Sequence, residues 1–381
     1  MTLVCYRALP RERVYPDTPA LEAVLAERDL AGGSRVLILS SATLAQPDGP
    51  VRKLEASLGE ACAGVGTMLS EHTPLAAVLD ARRLIEETSA ELIVAIGGGS
   101  VIDGSKAVKA AIAANLYTFE DFARHSLATA SPMPLPEGGP ILMAIPTTLS
   151  AAEFTATAGY TNPLSGLKEG LRAPHLAPLS VALDPDLALA TPLPLWTSSG
   201  MRAIDHAVET IFSPRVWPAL QRQAATGLNM LARALRAAVD RPDDRFARRD
   251  GQQAVWLISD GPAQLTMGAS HGLGYLLGTL GGVPHGLTSC VLLPETIRWN
   301  TQTCPQPAAL VAEALGEKSA HDGIVSLLED LGLPHRIGTL NVDKAILDSI
   351  AKHALTHPVV LANPRPFADR EAVRALLERA W

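Results

Sequence analysis

The chain has 381 residues, 47% of them apolar and 19% charged, and a formal net charge of −7. It is too long for one ordinary core and apolar enough to fold, which points to two domains. A net acidic chain offers no broad basic field for nucleic acid, and no run of about 18 apolar residues escapes interruption by Gly, Pro or charge, so neither a nucleic-acid partner nor a membrane span is expected. Cys5, Cys62, Cys290 and Cys304 are scattered and form no CxxC pair, which suits a reducing cytoplasm. The stretch Met1-Thr-Leu-Val-Cys-Tyr-Arg-Ala-Leu-Pro10 has no basic region ahead of an apolar core, so no signal peptide is expected.

Residues 20–30 have helical spacing, and Gly32-Gly33 separates them from the buried-type strand Arg35-Val-Leu-Ile-Leu-Ser40. Ser41 follows, where a dinucleotide-binding fold often places an acid against the adenosine ribose; a serine carries no charge to repel a 2′-phosphate. Residues 51–64 and 74–89 read as helices. Leu92–Ile96 is a short branched apolar run followed at once by Gly97, Gly98 and Gly99 and then by an Ala/Val/Lys-rich helical pattern. Strand, glycine turn and helix start together make an anion site, because glycine permits positive φ and a helix start presents N–H groups to a phosphate. A plain strand-to-helix turn has the same local sequence. Asp103 and Lys106, three apart on one helix face, fit either the phosphate end or a solvated ion pair.

A Pro/Gly-rich loop spans residues 131–140, and Ile141-Leu-Met-Ala-Ile145 is a further strand. The hydroxyls of Thr147, Thr148 and Ser150 after it either line a cofactor crevice or cap a helix. Lys168 and Arg172 fall in a polar connection before the strand Ser180-Val-Ala-Leu183, and Asp184-Pro-Asp begins a turn. The alternation of strand and helix predicts a parallel α/β sheet; the domain division is placed at 1–184 and 185–381, the second part all helical. In that part Trp196-Thr-Ser-Ser-Gly200 reads as caps for a helix to about Phe212, with further helices at 218–239, 251–268 and 271–280 and a solvated turn at 240–250. His206 falls mid-helix, His271 at a helix start and His285 in a Pro-His-Gly turn. Three imidazoles and a water would hold a catalytic divalent ion, although any one histidine is more often a hydrogen-bonded or surface residue.

Taken together, Gly97-Gly-Gly-Ser-Val-Ile-Asp103-Gly-Ser-Lys106, Pro146-Thr-Thr-Leu-Ser150, Asp184-Pro-Asp-Leu187, Gly200-Met-Arg-Ala-Ile-Asp-His206-Ala-Val-Glu209, His271 and Pro284-His285-Gly286 resemble the iron-containing alcohol dehydrogenase superfamily. Within it the maleylacetate reductase branch matches, and Asn363-Pro-Arg-Pro366 matches that branch too. The resemblance runs from about residue 35 to the end. It implies a dehydroquinate synthase-like architecture: an α/β domain binding NAD(H) or NADP(H), an all-helical domain, and hydride transfer in the cleft between them. It also implies a homodimer, and a cofactor contact set of Ser41, Gly97, Gly98, Gly99, Ser100, Asp103, Thr147, Thr148, Ser150 and Lys168.

One departure bears on mechanism. Where metal-dependent members of the family carry an aspartate ligand, four residues before His206, this chain has Arg202, and a guanidinium cannot ligate a cation. The other ligand positions remain as His206, His271 and His285; Asp205 points about 100° away around the helix and is a poor substitute. Tyr275 stands where the family often has another histidine. Maleylacetate reductases lack that aspartate too and are regarded as metal-free. The expected reaction is therefore metal-independent reduction of an oxo acid such as maleylacetate: Arg202 holds a carboxylate or polarises the carbonyl oxygen, hydride reaches the carbonyl carbon, and one of the histidines or Tyr275 gives the proton. The alternatives are a metal-dependent alcohol dehydrogenase using the three histidines, and a non-redox lyase, synthase or binding member of the superfamily.

Overall fold

Val36–Ser40 (β2) and Leu92–Gly97 (β4) are buried at every position, as strands covered on both faces must be. With Arg13–Pro16 (β1), Cys62–Gly66 (β3), Ile141–Pro146 (β5) and Ser180–Leu183 (β8) they form a six-stranded sheet ordered β1-β8-β5-β4-β2-β3, every neighbouring pair parallel. This computed structural model describes residue 9 and residues 11–381; Cys5 and the residues on which the signal-peptide expectation rests lie outside them. Side chains alternate between the two faces. Leu37, Leu39, Ile93, Ala95, Leu142 and Ala144 meet the helices Leu75–Thr88 and Gly99–Ala113, while Val36, Ile38, Val94, Ile96, Met143 and Ile145 meet Ala20–Leu30 and Pro50–Leu58. β2 connects onward to β3 on one side of the sheet and β4 to β5 on the other, so the carboxyl ends of β2 and β4 lie at the reversal of strand order, where open α/β sheets bind ligands.

Four local expectations are corrected. The helix expected to reach residue 64 ends at Leu58 on Gly59 (φ +53°), and Cys62-Ala-Gly-Val-Gly66 is an edge strand whose small residues gave no strand signal. The polar connection carrying Lys168 is half of an antiparallel hairpin, Thr157–Asn162 (β6) with Leu167–Arg172 (β7). Trp196–Gly200 are not caps: the helix Leu193–Phe212 starts three residues earlier on Pro192, with Pro194 tolerated in its first turn. Finally, Asp244 caps a helix Arg245–Ile258, so the expected solvated turn is shorter than 240–250 and the next helix begins earlier.

Among the described residues, those up to Thr191 form one compact unit and Pro192–Trp381 form another. Among the described residues the second contains helices and no strand. Leu193–Phe212 lies at its centre, packed by Pro218–Asp240, His285–Thr301 and Ala269–Gly281. No described helix is long and apolar enough to cross a membrane. Cys62, Cys290 and Cys304 are not disulfide-bonded.

Candidate functional site

In the first unit the glycine triplet joins β4 directly to the helix Gly99–Ala113. Gly97 has φ +155°, and a Cβ there would lie 2.9 Å from Val101 Cγ2. A Cβ on Gly98 would meet Thr148 Cγ2 at 3.2 Å, and one on Gly99 would meet Ser150 Oγ at 3.0 Å. The triplet thus lets the segment after β5 close onto the turn, and Thr147 N–H donates to Gly97 O at 3.0 Å. No side chain caps this helix, so its first amides remain available to an anion. Ser40 Oγ donates to Ile96 O (2.8 Å), which sets Ser41 beside the same turn; Ser41 Oγ accepts from Leu44 N–H at 3.4 Å. The carboxyl ends of β2, β4 and β5 therefore gather Ser41, Gly97, Gly98, Gly99, Ser100, Thr147, Thr148 and Ser150.

Further along the helix a Cβ on Gly159 would lie 3.2 Å from Lys168 Cε and 3.3 Å from Asp103 Oδ2, and Asp103 Oδ2 accepts from Gly159 N–H at 3.2 Å. Lys106 does pair with Asp103, but as a buried ion pair and not a solvated one. Its side chain is fully buried, and its ammonium donates to Ala152 O (2.6 Å), Thr157 O (2.9 Å), Thr155 Oγ1 (3.0 Å) and Asp103 Oδ1 (3.2 Å). This knot ties the helix to the segment behind Thr148 and Ser150 and to the hairpin. Burial pulls the Lys106 ammonium below its ordinary range, and burial pushes the neighbouring Glu153 carboxyl up to about 7.

In the second unit Arg202, Asp205, His206 and Glu209 are the ionisable residues of the helix Leu193–Phe212 and fall at i, i+3, i+4 and i+7 along it. His206 and His271 stack with ring centroids 4.7 Å apart. His271 Nδ1 lies 2.8 Å from Glu209 Oε2 and 3.3 Å from Asp205 Oδ2, and its Nε2 is buried without a partner among the described residues. Glu209 also accepts the N–H groups of Gly268 (2.6 Å) and Ser270 (2.7 Å), and Asp205 Oδ2 accepts the hydroxyls of Ser289 (2.7 Å) and Ser270 (2.9 Å). Burial and the Arg202 charge push His271 down, but the two carboxylates outweigh them and hold it above the ordinary histidine range. Burial, then the charges of His271 and Arg202, drive His206 well below that range. Asp205 is pushed up by burial yet held low overall by His271, Arg202 and Ser289.

Arg202 donates from Nη1 to Ser289 Oγ at 3.1 Å, with Asp205 Oδ2 at 3.9 Å and the Tyr275 ring centroid at 5.4 Å. Tyr275 is about one-third exposed and stands edge-on to His271 at 6.5 Å. His285 begins the helix His285–Thr301, and its side chain lies outside the described residues. Sequence reasoning passed over Asp205 and Glu209 as partners of His271. The signal was present in four polar residues at i, i+3, i+4 and i+7 on a helix otherwise apolar enough to be central.

A family model described as "Iron-containing alcohol dehydrogenase" matches residues 12–185, and "Fe-containing alcohol dehydrogenase family, C-terminal" matches residues 196–381. A maleylacetate reductase of Burkholderia cepacia is 30% identical over 369 residues, 97% of this chain and 95% of that protein. The crystal structure of maleylacetate reductase from Agrobacterium tumefaciens superposes with a TM-score of 0.84 at 29% identity, covering 100% of this chain and 99% of that one. For the fold alone, sulfoacetaldehyde reductase from Bifidobacterium kashiwanohense, itself solved in complex with NAD+, gives a TM-score of 0.89 at 22% identity, covering 100% of this chain and 99% of that one. With both halves matched in order and relatives similar over nearly full length, the chain belongs to the iron-containing alcohol dehydrogenase family, in its maleylacetate reductase-like branch, and is an oxidoreductase.

Proposed function

We propose that this protein is an NAD(P)H-dependent reductase of a small oxo acid such as maleylacetate, and that it works without a bound metal. The observation that carries the reading is Arg202: its guanidinium is largely buried, stands 3.9 Å from Asp205 Oδ2, and lies on the helix that carries His206. Among the described residues, one acid/histidine group has ligand atoms close enough for a shared ion, namely Asp205, Glu209 and His271, within 4.8 Å of one another. It fits a divalent ion poorly. Glu209 is already engaged by two backbone amides and His271, Asp205 Oδ2 by two hydroxyls, and a fixed cation stands alongside.

The glycine turn fits a nucleotide, with uncapped helix amides and the hydroxyls of Thr148 and Ser150 at one edge. Reduced nicotinamide supplies the hydride. Whether hydride enters at the carbonyl carbon or at an alkene carbon conjugated with it, negative charge develops on the same oxygen. Arg202 neutralises that oxygen or holds the substrate carboxylate, which selects for anions. His271 donates the proton: Nδ1 is committed to the carboxylates, which leaves a proton at Nε2 free to transfer. His206, kept neutral, adds no second imidazolium charge beside His271.

The test is turnover of maleylacetate and a panel of oxo acids and aldehydes with NADH or NADPH, followed by nicotinamide absorbance. Activity on anionic oxo acids that survives chelator, in protein shown metal-free by elemental analysis, is the expected result. Tight nucleotide binding without turnover, or turnover only after metal is added, would overturn the reading.

A further inference from the structure

Asn363-Pro-Arg-Pro366 is left without a role by the chemistry above, yet Asn363 is 5% exposed and every polar group of its side chain is used. Asn363 Oδ1 accepts from Ala269 N–H (3.1 Å) and from Asn300 Nδ2 (3.2 Å). Asn363 Nδ2 donates to Asn300 Oδ1 and to Arg365 O, both at 2.7 Å. The segment is clipped in place from outside: Arg365 Nη1 donates to Trp299 O (2.9 Å), Trp299 Nε1 donates back to Arg365 O (3.0 Å), and the guanidinium lies 3.6 Å over the Trp299 ring.

The destination of these bonds gives the segment its meaning. Ala269–Gly281 carries His271, and its cap residue, Gly268, has no side chain to satisfy the first turn. Three successive amides are served from elsewhere: Gly268 and Ser270 by Glu209, and Ala269 between them by Asn363. The fit is close. A Cβ on Gly268 would sit 3.0 Å from both Asn363 Oδ1 and Glu209 Oε1, and one on Gly272 would sit 2.5 Å from Val360 Cγ2. Only a carboxamide can serve here, because Ala269 needs an acceptor while Asn300 Oδ1 and Arg365 O need donors.

We propose that Asn363, paired with Asn300, is a positioning residue: it fixes the first turn of the Ala269–Gly281 helix and thereby the direction of His271 Nε2. The proposal rests on His271 being the proton donor. Without Asn363 the Ala269 amide and the Asn300 carboxamide lose partners in a dry interior, and the turn relaxes away from its cap. A displacement of about 1 Å at a reacting group is enough to lower a rate about 100-fold.

The experiment compares wild type, Asn363→Ala, Asn363→Asp and Asn300→Ala. Asn363→Asp keeps the acceptor for Ala269 and loses the donors; Asn300→Ala keeps Asn363 itself and serves if Asn363→Ala does not fold. Expected are a 10- to 100-fold fall in kcat for Asn363→Ala, a smaller fall for Asn363→Asp, and nucleotide KM within about twofold of wild type throughout. Amide hydrogen exchange at residues 268–271 should rise in parallel. Unchanged kcat and exchange in a folded variant, or equal losses in kcat, nucleotide affinity and melting temperature, would overturn the proposal. Exchange needs no turnover, so a wild type without reductase activity would sink the proposed function while leaving this capping role measurable.

Discussion

His206 and His271 stack on one another, yet of the two only His271 holds a carboxylate partner within hydrogen-bond distance. Two adjacent imidazolium ions would repel, so the carboxylates decide which ring is charged. Arg202 is the remaining fixed cation there, and replacing it with Ala is expected to lower kcat/KM for an oxo acid about 100- to 1,000-fold, with Lys restoring part of the loss; steady-state kinetics of the three forms decides this, and near-wild-type kinetics for Ala would discard its role. Glu153 allows a test of pH dependence. Its carboxyl is raised from 4.5 to about 7 by burial, so the folded state binds more protons than the unfolded state across that window and stability falls as pH rises through it. Glu153→Gln should match wild type near pH 4 and exceed it at pH 8 by up to about 3 kcal/mol, read from denaturant unfolding at both pH values. Arg202 was legible in the sequence because an arginine stood where the family places an acid. Asn363 was not, because its partners Ala269 and Asn300 lie 94 and 63 positions away.

At the scale of elements, strands buried on both faces announced themselves as branched apolar runs, and β2, β4, β5 and β8 were all legible. Among the described residues β3 pairs with β2 alone, and it carries Gly64 and Gly66, so neither composition nor period betrayed it. β6 alternates buried and half-buried residues, whereas its charged partner β7 is exposed or half-buried at all but one position and read as a connection. The glycine turn was legible as a turn, although the space saved by Gly98 and Gly99 goes to Thr148 and Ser150 of the chain itself. This predicts that Gly99→Ala pushes the Ser150 segment outward and weakens nucleotide binding by about tenfold, on the order of 1.4 kcal/mol. Adding Ser150→Ala should recover most of that loss. Fluorescence titration of both variants is the check; wild-type affinity in Gly99→Ala would mean that the turn and the Ser150 segment are uncoupled.

For the whole molecule, the passage from an α/β unit to a helical one was visible in the fading of strand signals, whereas the partners of its buried polar groups were not, because they are set by tertiary approach. If the first unit binds nucleotide as proposed, a concentration 100-fold above Kd stabilises it by about 2.7 kcal/mol, and its melting temperature should rise by about 5–10 °C. Scanning calorimetry with and without NADH or NADPH measures this, and superimposable scans would count against the cradle. The position of β1 has a further consequence. Among the described residues its only sheet neighbour is β8, with Arg13 beside Ser180 and Pro16 beside Leu183. While a ribosome is still making the middle of this polypeptide, its first strand has nowhere to dock, and the sheet can be closed on that side only once some 170 further residues have emerged.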